Sequence, residues 1–414
     1  MEEIVKVKRP STNTLSSEDS KGPLLDPKEE EPPSLLCPYA NPVELSSQEE
    51  FRKRFFKDIS PAMWDDWRWQ IRARIRNQQT LSRYLKLEPE ELYTWKGDWH
   101  PPMAITPYYL SLFYEKAPDD PLRRSVVPTI DELVATEGEA QDPLMEEGQS
   151  PVPGIVHRYP DRVLFLATSF CSTYCRYCTR SRVVGKAKRL VGRKRWELAL
   201  EYIKNNRQIR DVLISGGDPL TLGDEAIGWL LQRLRAIKHV EILRIGTKVP
   251  VVIPQRITAD LCKLLKRYHP LFLSIHFTHV RELTPETEKA VSMLADSGIP
   301  LGSQTVLLKG INDNTEALKA LFLRLLKNRV RPYYLYQCDP ILGSSHFRTK
   351  VQRGIQIMKE LRGFISGYAV PTYVIDAPGG GGKVAIDLGS VLSITEEKVI
   401  LKNYQGREFV YPNG

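Results

Sequence analysis

From Pro151 onward the chain alternates between two hydrophobic patterns. Short apolar runs at 163–170 (VLFLATSF), 211–217 (DVLISGG), 241–246 (EILRIG), 271–277 (LFLSIHF), 303–309 (SQTVLLK), 333–338 (YYLYQC) and 371–377 (PTYVIDA) have the length and branched-residue content of strands. Between them lie stretches with apolar residues three and four apart: ELALEYIK, IGWLLQRLRAI, DLCKLLKRY, TEKAVSMLADSG, ALKALFLRLLK and GIQIMKELRG. Strand then helix, repeated at about 30 residues, predicts parallel β/α units. No GxGxxG follows the first strand, and polar residues recur just after the strands. The expected α/β fold is therefore a complete or partial TIM-type (β/α) barrel rather than a doubly wound sheet. Such barrels gather their chemistry at the C-terminal mouths of the strands. There the sequence puts Cys171, Gly216, Gly217, Asp218, His276, Gln304, Asp339 and Asp376.

The rest of the chain follows other patterns. Residues 47–150 contain helical spacing in DWRWQIRARI and LSRYLKL, broken by prolines, and are expected to form a helical N-terminal region. Residues 1–46 are rich in Ser, Pro, Glu and Lys and are expected to be a disordered extension. The barrel is expected over 151–385, with a short β-rich tail over 386–414.

Composition narrows the function classes. With 414 residues and 42% hydrophobic content, the chain can bury a large core. The net charge of +9 raises nucleic acid as a ligand, yet the most basic run, RSRVVGKAKRLVGRKR at 180–195, has no interleaved aromatics and no helix-turn-helix or zinc-finger frame. Nucleic acid is not expected as a partner. The N-terminus has no apolar signal core and no run of eighteen apolar residues occurs, so no membrane partner is expected either. Six cysteines are too few for a disulfide scaffold, and three of them crowd into one loop. A reducing, cytoplasmic setting fits that use of thiols.

That loop reads CSTYCRYC, with Cys171, Cys175 and Cys178. A structural zinc site wants four ligands, so zinc would need help from elsewhere in the chain. Thiols at these offsets could also share one helix face as buried core. Three thiolates holding an iron–sulfur cluster would leave one iron open for a ligand. One β/α unit later, ISGGDPL (214–220) offers two glycines for close backbone approach to a cation and the charge of Asp218. A second constellation, DAPGGGGK (376–383), fails as a phosphate loop because Val384 stands where Ser or Thr is needed. A lysine behind glycines does suit an imine with pyridoxal phosphate, and the loop VHRYPDR (156–162) supplies Arg158 and Arg162 for the phosphate.

The CxxxCxxC loop followed by GGD resembles the radical S-adenosylmethionine superfamily. With MAITPYYLSL, QSPVPG, HRYPDRVL, CxxxCxxCTR, RVRPYYLYQCD, LRGFISGY and DAPGGGGK in that order, the chain from about Phe51 to about Lys402 resembles the lysine 2,3-aminomutase family. The resemblance implies an isomerase that moves the amino group of L-lysine from Cα to Cβ, giving L-β-lysine. It implies that Cys171, Cys175 and Cys178 hold a 4Fe-4S cluster and that Lys383 binds pyridoxal phosphate. Arg180 would pair with the substrate carboxylate, and Asp339 and Asp376 with the distal ammonium. Gly216, Gly217, Asp218, His276 and Gln304 would line the S-adenosylmethionine pocket. A one-electron donor such as flavodoxin or ferredoxin is also implied. The neighbouring expectations are an arginine or glutamate 2,3-aminomutase, or a lysyl-modifying enzyme serving translation. Well-studied members staple their subunits through zinc on a cysteine-rich C-terminal segment. No cysteine follows Cys338 here, so a zinc-stapled form is not expected and the homo-oligomeric state stays open.

Overall fold

The strands pair in the order in which they occur along the chain. In the computed structural model, which describes residues 45–92, 102–185 and 192–412, nine strands form one sheet. They are β1 (Ile155–Tyr159), β2 (Arg162–Thr168), β3 (Asp211–Gly216), β4 (Ile242–Thr247), β5 (Leu271–His276), β6 (Leu301–Leu307), β7 (Val330–Gln337), β8 (Thr372–Ala377) and β9 (Gly382–Ala385), in that spatial order. The ladders from β2 to β8 are parallel; β1 and β9 run antiparallel at the two edges. The barrel is thus a seven-strand parallel core with an antiparallel strand at each end. The stretch 156–162, expected to be a loop, is instead a hairpin: Pro160 and Asp161 turn β1 into β2, with Tyr159 paired to Arg162.

The period of two sets the two faces. On β3, Val212 and Ile214 are buried against the helices while Asp211, Leu213 and Ser215 face an internal cavity; on β4, Leu243 and Ile245 are buried while Arg244 and Gly246 face it. The core therefore sits between strands and helices, and the barrel interior is lined by charged and polar side chains together with apolar and tyrosine ones. Each connecting helix contributes an apolar stripe. The helix Thr315–Lys327 buries Leu318, Leu321, Phe322 and Leu325, at about 1.5–3 kcal/mol each. Its start is fixed by Asn314, whose side chain accepts from Ala317 N–H at 2.8 Å.

The described part of the N-terminal region contains short α-helices of 4 to 11 residues joined by turns and loops, the last of them ending at Val126. Buried ion pairs fasten it internally and to the barrel: Arg123 with Glu91 at 2.5 Å, and Arg281 with Asp120. The expected extension 1–46 lies outside the described residues except for Leu45 and Ser46, which begin the helix Leu45–Phe55. The centre of the basic run, 186–191, also lies outside them. Residues 391–412 form a separate three-stranded antiparallel sheet, β10 (Val391–Ile394), β11 (Lys398–Lys402) and β12 (Glu408–Pro412). No helix among the described residues is long and apolar enough to cross a membrane.

Candidate active site

The cysteine loop follows β2, and the residues between the thiols anchor it. Arg176 forms a buried ion pair with Glu132 at 2.5 Å, and its N–H donates to Ser125 O at 2.9 Å. Tyr174 N–H donates to Ala104 O at 2.9 Å, the Tyr177 and Thr278 hydroxyls lie 2.8 Å apart, and Arg74 Nη1 donates to the Cys171 carbonyl at 2.6 Å. The loop is thus held from the helical region on one side and the barrel on the other. The five described cysteines are all free. Burial pushes the three loop thiols up, Cys178 to about 11 with the help of Cys175; at Cys171 the charges of Asp218 and the two neighbouring thiols add to the rise, and at Cys175 Lys248 opposes it. Keeping such thiols as thiolates takes a cation bound among them. Beside Cys171, Ser172 Oγ is buried with no hydrogen-bond partner among the described residues, a donor left for a bound group. The donor set fits an iron–sulfur cluster.

The glycines after β3 serve a packing role in this structure. A Cβ at Gly216 would meet Thr168 O at 2.1 Å and one at Gly217 would meet Phe170 O at 2.4 Å, so only glycines let β3 end against the start of the cysteine loop. Asp218 differs from the expectation that it offers charge to a ligand. Its carboxylate accepts from Thr247 Oγ1 and Lys248 N at 2.6 Å, Val249 N at 3.1 Å and Leu220 N at 3.2 Å, and it is 5% exposed. It braces the ends of β3 and β4. His276 and Gln304 are register partners on β5 and β6 and both line the cavity. Burial, with the charges of Lys248 and Arg180, lowers His276 to about 4, so its imidazole is neutral at pH 7.

The cavity, about 530 Å³, holds the charged residues. Lys383 and Asp376 are cross-strand partners on the β8–β9 hairpin, which the glycine run closes: Gly379, Gly380 and Gly382 all have positive φ. Lys383 Nζ donates to Asp376 Oδ2 at 2.9 Å and lies 5.7 Å from the Tyr336 ring centre, with the side chain 32% exposed. An amine so placed is reachable from the cavity and fits pyridoxal phosphate. The backbone N–H of Lys383 donates to Tyr159 OH at 2.8 Å, and the Arg162 guanidinium stacks on the Tyr159 ring at 4.1 Å. Tyr159 thus touches both Arg162 and the Lys383 backbone, while Arg162 Nη1 donates to Asp161 Oδ1 at 3.0 Å. Arg158 is not free to hold a phosphate: it donates to Asp376 at 3.0 Å, to Gln149 at 2.7 Å and to Leu144 O at 2.6 Å. Its guanidinium positions Asp376.

Asp339 faces the same space and accepts from Thr179 Oγ1 at 2.6 Å. Burial pushes its carboxyl up to about 6; the Thr179 bond, Lys383 and Arg180 pull down, and Asp376 pushes up. Arg180 also lines the cavity. Its Nε and Nη2 donate to Glu146 at 3.0 and 2.7 Å, and no described residue accepts from its Nη1. Burial works to raise Glu146, but Arg180 and Arg182 outweigh it and hold the carboxyl below its ordinary range. Sequence reasoning missed Glu146. The signal available was the acidic segment DPLMEE before β1, whose Met145 adopts φ 50° in order to present Leu144 O to Arg158 and Glu146 to Arg180.

Comparison with known proteins shows the family. A family model described as the Radical SAM superfamily matches residues 165–322, and one described as Lysine-2,3-aminomutase matches 358–414. L-lysine 2,3-aminomutase of Clostridium subterminale is 51% identical over 356 residues, covering 86% of each chain. L-lysine 2,3-aminomutase of Acetoanaerobium sticklandii is also 51% identical, over 362 residues and 86% of each chain. Glutamate 2,3-aminomutase of Clostridioides difficile is 40% identical over 369 residues, 88% of this chain and 87% of that one. The chain therefore belongs to the lysine 2,3-aminomutase family of radical S-adenosylmethionine enzymes, isomerases that use a 4Fe-4S cluster, S-adenosylmethionine and pyridoxal phosphate.

Proposed function

We propose that this chain isomerises L-lysine to L-β-lysine by 2,3-migration of the amino group, within a reducing cytoplasm and with a one-electron protein donor. The observation that carries the substrate choice is the pair of carboxylates, Asp339 and Asp376, facing one cavity in which burial has already pushed Asp339 up to about 6. Asp376 already meets Arg158 and Lys383, whereas Asp339 accepts from the Thr179 hydroxyl and has no cation within ion-pair distance among the described residues; the distal ammonium of lysine is the cation that would serve it. A glutamate side chain would add a third negative charge.

Cys171, Cys175 and Cys178 would hold the cluster, and Lys383 with Arg162 would hold the pyridoxal phosphate. When bound, the cluster and S-adenosylmethionine supply a radical able to take an unactivated hydrogen, and pyridoxal phosphate carries the nitrogen as it moves. The chain's own residues position and shield. Arg180, oriented by Glu146, keeps Nη1 for the substrate carboxylate. Arg158 and Lys383 hold Asp376 from two sides until an ammonium takes its share. The carbonyls of Gly216 and Gly217 and the neutral side chains of His276 and Gln304 would face S-adenosylmethionine, while Asp218 keeps the strand ends beneath them rigid. Tyr336, whose hydroxyl accepts from Gln304 Nε2 at 3.4 Å, lines the same cavity.

The test is anaerobic turnover by the reconstituted protein with L-lysine, L-arginine and L-glutamate supplied separately, products being identified by NMR. L-β-lysine is the expected main product. Faster turnover of glutamate would overturn the assignment.

A further inference from the structure

Lys248, the residue after β4, does not line the cavity, yet its ammonium is buried beside the cysteine loop. The residue is 8% exposed, and its Nζ donates to Glu282 Oε1 at 2.7 Å, to Thr278 Oγ1 at 3.0 Å and to the His276 carbonyl at 3.4 Å. Glu282 is fully buried, and its charge is spread over further donors: the Tyr109 hydroxyl at 2.8 Å, His279 N–H at 3.2 Å and Thr278 N–H. As a fastening alone such a pair contributes little, because desolvation offsets its attraction. The bond to Thr278 leads elsewhere. Thr278 Oγ1 lies 2.8 Å from the hydroxyl of Tyr177, a residue between Cys175 and Cys178. The Tyr177 ring packs edge-on against Phe347, with ring centres 6.1 Å apart, and its hydroxyl is a hydrogen-bond donor to the Cys175 thiolate.

The ends of this chain of bonds fix its direction. An ammonium can only donate and a thiolate can only accept, so each hydroxyl between them takes a hydrogen bond from the Lys248 side and gives one toward Cys175. Hydrogen bonds in series polarise one another, the more so where water is excluded. At Cys175 the pull of Lys248 outweighs the push of Glu282, so the positive end of the buried pair acts on the loop.

We propose that the relay from Lys248 through Thr278 to Tyr177 sets the electron affinity of the cluster, by bringing positive charge and a hydrogen-bond donor to the Cys175 sulfur. The proposal rests on the cluster reading of Cys171, Cys175 and Cys178. Reduction takes one electron from the one-electron donor into a group already made anionic by three thiolates, and no bond of the polypeptide changes. A donor on a ligating sulfur stabilises the electron-rich state more than the electron-poor one, so the relay raises the reduction potential. Glu282 is the positioning residue, since its carboxylate keeps a buried ammonium charged.

The test is the midpoint potential of the cluster in reconstituted holoenzyme, read by EPR during an anaerobic titration with dithionite. Tyr177→Phe removes only the hydroxyl and keeps the ring against Phe347. Its equilibrium constant for one-electron reduction should fall about tenfold or more, a potential lower by about 59 mV or more, with iron and sulfide content as in wild type. Thr278→Val, which breaks the relay one step further back, should move the potential in the same direction. Tyr109→Phe takes a hydroxyl from the same Glu282 carboxylate but lies off the relay, so it should lower thermal stability and leave the potential unchanged. An unchanged potential in Tyr177→Phe, or an equal shift in Tyr109→Phe, would overturn the relay. If the wild-type protein takes up no cluster that dithionite turns EPR-active, the cluster reading fails first, and the proposal with it.

Discussion

The two sides of the cavity treat their functional groups in opposite ways. On the cysteine loop, the residues between the thiols are bound to the surrounding protein, through Arg176–Glu132, Tyr174–Ala104 and Arg74–Cys171 O, while the thiols meet one another's repulsion. On the β8–β9 hairpin the functional groups are already paired with each other: Lys383 with Asp376, Asp376 with Arg158, and across the mouth Arg180 with Glu146. The first side is a rigid frame around unneutralised donors, suited to a group that brings its own charge. The second is a set of exchangeable ion pairs, suited to a zwitterion that substitutes for existing partners one at a time. A buried pair that loses one member costs about 3–5 kcal/mol, so pairing in the free state also keeps the empty mouth from collapsing or repelling itself.

The largest effect should come from breaking the frame. Cys175→Ala should lose the cluster, read as iron and sulfide content, and all cleavage of S-adenosylmethionine. Retention of a full, reducible cluster would dissolve the distinction between the two sides. Next come the two cavity carboxylates, Asp376 in its exchangeable pairs and Asp339 held by the Thr179 hydroxyl. Asp339→Asn and Asp376→Asn should each lower lysine turnover by orders of magnitude, in line with about 3–5 kcal/mol, while keeping cluster and pyridoxal absorbance. Normal lysine turnover in either variant would show that the carboxylates do not clamp the ammonium.

Smaller effects sharpen the same comparison. Glu146→Gln keeps the shape but removes the charge that aligns Arg180, so KM for lysine should rise by about tenfold or more with kcat less affected, at about 1.5–3 kcal/mol for a charged hydrogen bond. An effect on kcat alone would assign Glu146 to the chemistry rather than to positioning. The mildest effect is that of pH. Because Asp339 is raised to about 6, it is ionised above that pH and neutral below it. The kcat/KM for lysine should therefore fall as pH drops through about 6, and Asp339→Asn should lack that acid limb.

Much of this was legible from the chain, for a physical reason: strands and helices of a β/α barrel are long enough to show their periods, and β2 to β8 lie where the apolar runs put them. Strand ends mark the mouth, which is why His276, Gln304, Asp339, Asp376 and Lys383, picked from sequence, line one cavity. What stayed hidden depends on contacts between distant segments. Glu146 meets Arg180 only because Met145 turns at positive φ, and no local pattern announces that. Arg158 looked like a phosphate ligand until β1 and β8, distant in sequence, were seen to bring it against Asp376. Asp218 looked like a ligand group until the ends of β3 and β4 were seen to converge on it. The β1–β2 hairpin could have been found, since Pro-Asp between two apolar alternations is a turn signal.

The division of the site into two separately built sides is tested most directly by borohydride fixation. Wild-type protein and Cys175→Ala would each be incubated with pyridoxal phosphate, reduced with borohydride, digested and mapped by mass spectrometry. The account predicts the label on Lys383 in both proteins, to a similar extent, with iron present only in the wild type. Label on another lysine, or loss of labelling together with the cluster, would contradict it.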